Sequence, residues 1–200
     1  MIAQAENDAE IVRGLAAGER GAFESLYRRH NVSMVRVASA ILRNRASAEE
    51  VAHETWIAVL RNIEGFEARS SLAGWIFTIL SNKAKTRVKR DGRVVSLDTA
   101  ANDDDFADAF DGRGRWKDKP DLWDEMTPER VVAGRQILDH VSTAIEELPP
   151  AQRAVLVLRA QQELESQEVC EILEITEGNM RILLHRARRT LRQAINEVAS

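Results

Sequence analysis

Positive charge is concentrated in one short segment near the end of this 200-residue chain. Residues 176–192 contain five arginines and one histidine against a single glutamate, whereas the whole chain has a formal net charge of −4. Guanidinium groups form charge-assisted hydrogen bonds with phosphate oxygens, and their accumulation on one segment of an acidic protein favours a phosphate-bearing partner. The segment therefore predicts binding to nucleic acid.

A second basic stretch is followed at once by an acidic one. Residues 83–93 carry six basic side chains and one acid, and residues 97–111 carry six aspartates and no base. This alternation is typical of a polyanion-binding module that ends in a solvated connection. The stretch from Asp91 to about Thr127 also lacks helical periodicity, and we expect it to be a flexible linker.

Charged residues can also carry out acid–base catalysis, and paired carboxylates are the candidates in this chain. Glu50 and Glu54 are four residues apart and share one face of a helix with His53 and Ile57. Catalysis needs a cleft or a metal partner, and the sequence indicates neither here. The histidines lack metal-ligand spacing, and the single Cys170 cannot form an internal disulfide. We expect no enzyme activity, no metal and no cofactor, and we expect this face to bind a protein.

Apolar residues recur at helical spacing through most of the chain, and alternating runs typical of strands are scarce. The sequence therefore predicts an all-α fold. One helix is expected to begin with a capping box at Ser47 and Glu50, and another to run from Ser70 or Ser71 to Arg90. On the second of these helices, outward positions are expected at Gly74, Thr78, Ser81, Asn82, Lys85 and Lys89, with Trp75 at the boundary.

Two small helical domains joined by a long acidic linker explain this organisation most simply. We expect the domains at residues 1–92 and 128–200, and the linker at residues 93–127. Thr127 and Pro128 can open the helix that follows the linker, and Pro149-Pro150 can end it. No apolar run approaches the roughly 20 residues that cross a bilayer, and the first residues lack a signal peptide. We therefore expect a cytoplasmic protein without membrane insertion.

The last third of the chain has the pattern of a helix-turn-helix. A short amphipathic helix within residues 165–175 is followed by a turn of about four residues and a longer helix that Thr176 can cap. In such a motif the second helix lies in the major groove. Its first residues meet base edges and its later arginines meet phosphates.

Together, these stretches resemble one family. The resembling residues are AFESLY, SAEEVAHETWIAVLRN, FEARSSLAGWIFTILSNKAKTRVKR, LPPAQRAVLVLR and EVCEILEITEGNMRILLHRARRTLR, in that order. The helix-turn-helix alone is weak evidence, but its pairing with the Ser-Ser-Leu-x-x-Trp and Asn82 signature is specific. The chain is similar to bacterial RNA polymerase sigma factors of the sigma-70 family, in the two-domain extracytoplasmic-function (ECF) group.

The resemblance implies a transcription initiation factor that binds the RNA polymerase core, through its beta and beta-prime subunits, and promoter DNA. An anti-sigma factor would control it. The N-terminal domain would melt the −10 element, with a loop that captures a flipped base and a helix that follows the melted strand. The helix-turn-helix would read the −35 element.

The family pattern also implies a set of residues for each task. Core polymerase binding falls to Glu50, His53, Glu54 and Ile57. The −10 contacts are Phe66, Arg69, Ser70, Ser71, Trp75, Thr78, Asn82, Lys85 and Lys89. The −35 contacts are Thr176, Gly178, Asn179, Arg181, Ile182, His185, Arg186 and Arg189. One departure concerns the turn, where Glu174 replaces the usual glycine, so a residue with a Cβ must adopt the left-handed conformation or the turn differs.

Two other functions stay open on the residues alone. A sigma-like decoy would bind an anti-sigma factor without reading DNA, but it would not need Arg181, Arg186 and Arg189 on an outward face. An ordinary helix-turn-helix repressor would explain the C-terminal third of the chain. It would leave the acidic face around Glu50 and the RSSLAGW loop without a purpose.

Overall fold

The computed structural model describes residues 2–92 and 140–199, with side chains for residues 7–92 and 140–195. Every regular element in those ranges is helical, so the all-α prediction is confirmed there. The helices are α1 (Ile2–Ala16), α2 (Arg20–Leu42), α3 (Arg45–Asn62), α4 (Leu72–Arg90), α5 (140–147), α6 (Pro150–Leu156), α7 (Ser166–Leu173) and α8 (Glu177–Ala199). The predicted linker, 93–127, and the predicted helix start at Thr127 and Pro128 lie outside the described residues.

Local capping explains where α3 and α4 begin. The sequence places the start of α4 at Ser70 or Ser71, and the structure shows that Ser71 is the cap, since its Oγ accepts a hydrogen bond of 3.0 Å from the Gly74 backbone N–H. The capping box predicted at Ser47 and Glu50 is wrong. Asn44 has extended backbone angles and accepts a 2.9 Å hydrogen bond from the Ser47 N–H, so α3 begins earlier than its Ser-x-x-Glu sequence suggests.

Helices α2, α3 and α4 pack around one apolar centre. Met34 of α2, Val59 of α3 and Phe77 of α4 are fully buried in it. Tyr27 is 41% exposed because it lies at the open edge of α2, where its ring is 5.6 Å from that of Trp56. These three helices therefore form a bundle with an aromatic edge.

Helices α5 to α8 form the second region and contain the predicted helix-turn-helix. Glu174 ends α7 in the left-handed conformation, with φ 56° and ψ 48°, despite its Cβ. The Ile175 N–H then donates a 3.1 Å hydrogen bond to the Cys170 carbonyl, which closes the turn. Thr176 caps α8 by accepting a 3.2 Å hydrogen bond from the Asn179 N–H.

The two regions pack directly on each other and share one continuous core. Helix α6 and the π-helical stretch that follows it, Val157–Gln161, lie against α2, and α7 lies against α4. Gly74 and Ser81, which the sequence places outward, are buried because α7 covers that face of α4. The domain boundaries at residues 92 and 128 stay a prediction.

Phe77 offers a test of this shared core. Its ring is fully buried and lies 6.3 Å from the His30 ring in an edge-to-face arrangement. We expect Phe77→Ala to lower the free energy of unfolding by about 3–5 kcal/mol, because it opens a cavity in a packed centre. Urea unfolding followed by circular dichroism measures this change. The control Leu60→Ala, at a residue 44% exposed, should change it by about 0.5 kcal/mol or less. Equal effects of the two variants would contradict the packing described.

Candidate nucleic-acid interface

The loop before α4 presents the residues predicted to capture a base. Phe66 is half-buried, and its ring centroid lies 5.3 Å from that of Trp75 at an interplanar angle of 52°. Arg69 and Ser70 are exposed beside this pair, and Arg69 forms a 2.5 Å ion pair with Glu67. Aromatic rings near cationic side chains can stack on unpaired bases, so this pair is a candidate stacking surface.

The end of this loop is tied to two other helices. Ser71 donates a 3.2 Å hydrogen bond to Glu168 of α7 while it caps α4. The next residue, Leu72, donates its backbone N–H to Asp8 of α1 at 3.1 Å. The first turn of α4 is therefore held from both sides, which fixes the position of Trp75 within it.

Further along α4, most of the predicted DNA-contacting side chains are open to solvent. Lys85 is different, since it is half-buried and its Nζ donates to the Ile172 carbonyl of α7 at 2.9 Å. It also forms a 3.0 Å ion pair with Glu174. The exposed members of the set are Thr78, Asn82 and Lys89.

A cavity of about 260 Å³ opens between α3 and α4, and cationic side chains dominate its lining. The sequence did not place Lys83, Thr86, Arg87 or Arg90 among the DNA contacts, although all four line this cavity. The only signal for them was the excess of positive charge over residues 83–93. A concave basic surface focuses the electrostatic potential that attracts phosphate. The full lining is Glu54, Asn82, Lys83, Thr86, Arg87 and Arg90.

The acidic face predicted to dock on the polymerase is divided between two places. Arg87 of α4 forms ion pairs with Glu50 and, at 3.6 Å, with Glu54, so both carboxylates contact the basic helix. His53 instead lines a separate cavity of about 400 Å³ between α2 and α3. Ile57 is 39% exposed, as expected of a docking residue. The packing of α4 on α3 separates Glu50 and Glu54 from His53. Helical periodicity along α3 alone does not predict this separation.

The predicted −35 residues on α8 differ in exposure. Gly178, Arg181 and Arg189 are exposed on the helix, while Ile182 is half-buried. Asn179 is only 7% exposed, and its role as a −35 contact stays a prediction. It lies beside the buried Met180 at the point where α8 joins the core. Thr176 is exposed, and His185 and Arg186 are half-buried.

Burial and neighbouring arginines lower the pKa values of two basic side chains on α8. Burial first, and then Arg189 and Arg192, hold the pKa of His185 below its ordinary value near 6.5. His185 is therefore mostly neutral at pH 7, and it can exchange hydrogen bonds with DNA without adding charge. Burial, followed by Arg159, also lowers the pKa of Arg188, which remains protonated.

Family models match both halves of the chain. Residues 26–94 match the family described as Sigma-70 region 2, and residues 138–191 match the family described as Sigma-70, region 4. The chain belongs to the sigma-70 family. The sequence-based expectation of a sigma factor in the ECF group is confirmed, and a sigma factor is a transcription initiation factor.

Named relatives match this sigma factor over most of its length. The RNA polymerase sigma-H factor of Pseudomonas aeruginosa is 26% identical, and the alignment covers 95% of this chain and 94% of the relative. The ECF RNA polymerase sigma factor SigW of Bacillus subtilis is 24% identical, with 94% and 96% covered. Among solved structures, CnrH in complex with the cytosolic domain of CnrY has a TM-score of 0.48 at 19% identity, covering 96% of this chain and 98% of that one.

The structure also bears on metals and membranes for this sigma factor. Within residues 2–92 and 140–199, no three His, Cys, Asp or Glu side chains come together as a metal site. In the same ranges, no helix has both the length and the apolar character to span a bilayer.

Trp75 provides a direct test of the stacking surface. We expect Trp75→Ala to weaken binding of the holoenzyme to single-stranded −10 DNA, because loss of one base–aromatic stack costs about 1–3 kcal/mol. The affinity for a fork-junction probe measures the effect. Trp75→Phe keeps a ring and should retain most of the affinity. Full affinity in Trp75→Ala would exclude stacking by this residue.

Arg186 tests the surface of α8. We expect Arg186→Ala to weaken promoter binding by the holoenzyme and to lower the log–log salt slope by about one, since one phosphate contact is lost. The binding constant measured across a series of salt concentrations gives both quantities. Arg20→Ala, at an exposed residue paired with Glu24 at the start of α2, is the matched control. An unchanged slope in Arg186→Ala would remove this residue from the DNA interface.

Proposed function

We propose that this sigma factor directs the RNA polymerase core to promoters by dividing three tasks among α3, α4 and α8. The loop 66–71 and α4 melt the −10 element, α8 reads the −35 element, and α3 docks on the beta and beta-prime subunits. The observation that carries this proposal is the Phe66–Trp75 ring pair at the start of a helix whose next turns expose Thr78 and Asn82.

Melting of the −10 element requires that bases leave the duplex stack, at a cost of a few kcal/mol each. The Phe66–Trp75 pair supports this step by offering an aromatic surface to an unstacked base. Further along α4, the cavity between α3 and α4 offers Lys83, Arg87 and Arg90 to the phosphates of the same strand. Stacking and phosphate contacts together can offset the cost of opening the duplex.

Recognition of the −35 element follows from the position of α8 in the helix-turn-helix. Its capped N-terminus exposes Gly178, where a base edge can approach the backbone closely. Arg181 and Arg189 are exposed along the same helix and can reach base edges or phosphates. The neutral His185 adds a hydrogen-bonding group between them.

Docking on the polymerase uses an exposed surface of α3. Ile57 and Leu60 are 39% and 44% exposed, and apolar side chains exposed together favour a protein partner. We propose that an anti-sigma factor controls this sigma factor by covering the same surface, which would exclude the polymerase. Both events would take place in the cytoplasm, where the polymerase acts.

Run-off transcription tests the proposed function. Purified bacterial core polymerase is incubated with a pool of genomic promoter fragments, with and without this chain. We expect discrete transcripts that depend on the chain. If no such transcripts form and the chain fails to co-elute with core, the function is wrong, and the decoy that binds only an anti-sigma factor is favoured.

Ile57 gives a residue-level test of docking. We expect Ile57→Asp to weaken binding to core at least tenfold, because it places a charge at the apolar centre of an interface. Co-elution or interferometry with core polymerase measures the affinity. Ala46→Asp adds the same charge at an exposed position in the first turn of α3, where an acid is favourable, and should bind core normally. Equal binding by the two variants would place the docking surface elsewhere.

A further inference from the structure

The proposed function uses α3, α4 and α8 and leaves α1 unused, and the Sigma-70 region 2 match begins only at residue 26. We propose that Asp8 of α1 is a positioning residue for the capture of a −10 base. Its carboxylate fixes the first turn of α4, and thereby the base-capture loop, residues 66–71, and the Phe66–Trp75 ring pair. The inference rests on the proposed role of that pair in melting the −10 element.

The sequence of α1 places a carboxylate on the buried face of the helix. Asp8, Ile11 and Leu15 are spaced by three and four residues, so their side chains lie on one side of α1. Ile11 and Leu15 are only 7% and 6% exposed, and both belong to the shared apolar core. Asp8 is half-buried on the same face. A charged group that loses water in this way needs a polar partner to offset the cost.

That partner is a backbone group at the start of α4. Leu72 is the first residue of α4, and its N–H donates a 3.1 Å hydrogen bond to Asp8 Oδ2. The first N–H groups of a helix have no acceptor within the helix. Leu72 is 1% exposed, so water has little access to this N–H and the carboxylate takes its place. The dipole of α4 also favours a negative charge at this end.

Asp8 and Ser71 cap α4 in different ways. Ser71 Oγ accepts the Gly74 N–H at 3.0 Å, which is a contact within one turn. Asp8 is 64 residues away from Leu72 in the sequence, so its contact determines where α4 lies relative to α1. The Trp75 N–H then closes the first turn by donating to the Ser71 carbonyl at 3.0 Å. Trp75 therefore lies within one turn of the residue that Asp8 holds.

Helix α1 also supports the other end of the base-capture loop. It packs on the short 3₁₀-helix Ile63–Gly65, whose first residue is 3% exposed. The Phe66 N–H donates to the Ile63 carbonyl at 3.1 Å, so Phe66 follows directly from this support. Contacts from one helix therefore bracket the loop, with the 3₁₀-helix before it and Leu72 after it.

The backbone of the loop explains why it needs this support. Ala68 has φ 52°, in the left-handed region that residues with a Cβ seldom occupy. Such a conformation persists only where the surrounding structure holds it. Within the loop, Arg69 pairs with Glu67, but both side chains are largely exposed and such a pair is a weak constraint. The fixed ends of the loop are therefore its main constraint.

A close approach to α2 fixes the position of α1 itself. A Cβ on Gly14 would lie 2.8 Å from the Ala22 Cβ, so a glycine allows the two helices to come this close. The Glu19 N–H closes the turn between them by donating to the Gly14 carbonyl at 2.8 Å. Asp8 lies less than two helical turns from Gly14, so its carboxylate is carried on a firmly packed support.

The test compares single variants of the full chain. Asp8→Ala removes the acceptor, whereas Asp8→Asn keeps an acceptor oxygen but loses the charge. Glu10→Ala removes a carboxylate from an exposed residue of α1 and is the matched control. Trp75→Ala removes the ring through which Asp8 acts. Circular dichroism confirms that each variant is folded.

The first readout is hydrogen exchange at the Leu72 amide in the free chain, followed by NMR. In the parent and in Glu10→Ala this amide should exchange slowly, because it is buried and bonded to Asp8. In Asp8→Ala we expect exchange about tenfold faster, since a hydrogen bond to a charged acceptor is lost. Equal rates in Asp8→Ala and Glu10→Ala would overturn the proposal, because α4 would not depend on this contact.

The second readout is the affinity of the holoenzyme for a fork-junction probe with a single-stranded −10 element. We expect Asp8→Ala to bind about fivefold more weakly, which is near the lower end of the effect of losing one base–aromatic stack. Asp8→Asn should lie between Asp8→Ala and the parent, and Glu10→Ala should match the parent.

Affinity for core polymerase is measured in parallel by interferometry. Asp8→Ala should bind core as the parent does, because the Leu72 contact lies outside the proposed docking surface of α3. A loss of core affinity as large as the loss of DNA affinity would indicate a general loss of structure and overturn the positioning role.

A double-variant cycle separates positioning from general stability. Because Asp8 acts through the ring pair, Asp8→Ala should change the affinity for the probe by less than about twofold in a Trp75→Ala background. A purely structural effect would weaken binding by the same factor with or without the ring. Equal factors in the two backgrounds would therefore contradict the proposal.

These readouts also separate the inference from the proposed function. If the parent holoenzyme neither binds the probe nor forms run-off transcripts, the proposed function is wrong, and the base-capture role of Asp8 is wrong with it. If the parent binds and transcribes but Asp8→Ala binds the probe equally well, the function stands and only the role of Asp8 is wrong.

Discussion

A backbone carbonyl at the C-terminal end of α7 anchors this helix on α4. The Ile172 oxygen accepts hydrogen bonds from Ser81 and Lys85 of α4, where the dipole of α7 favours a cation. Two small residues, Gly74 and Ser81, allow the helices to approach closely enough for these bonds to form. Because α7 opens the helix-turn-helix, this contact and the shared apolar core together position the second region against the first.

Several basic side chains that could bind nucleic acid form ion pairs with carboxylates in this structure. Lys85 is paired with Glu174, and Arg87 is paired with Glu50 and Glu54. Such pairs contribute little to stability when they are exposed, but they reduce the positive potential of α4. Under the proposed function, docking of the polymerase on α3 would compete for Glu50 and Glu54 and would release Arg87 from these ion pairs.

Helix caps could be predicted from the sequence, whereas contacts between helices that lie far apart in the sequence could not. Thr176 was predicted as a helix cap, and the start of α4 was placed at Ser70 or Ser71, because capping depends on residues within one turn. The start of α3 was misplaced because Asn44 offered a competing cap. On α4, Thr78, Asn82 and Lys89 are exposed as predicted. Gly74 and Ser81 were also predicted to face outward, but they are buried. Periodicity identifies a face, and only the tertiary fold determines which other helix covers it.

The reactivity of Lys85 tests the account most directly. The free chain is treated briefly with an amine-acylating reagent, and modification is quantified by peptide mass spectrometry. In the free chain Lys85 should be protected while the exposed Lys89 reacts, since α7 holds only the former. Equal reactivity of the two lysines in the free chain would contradict the account.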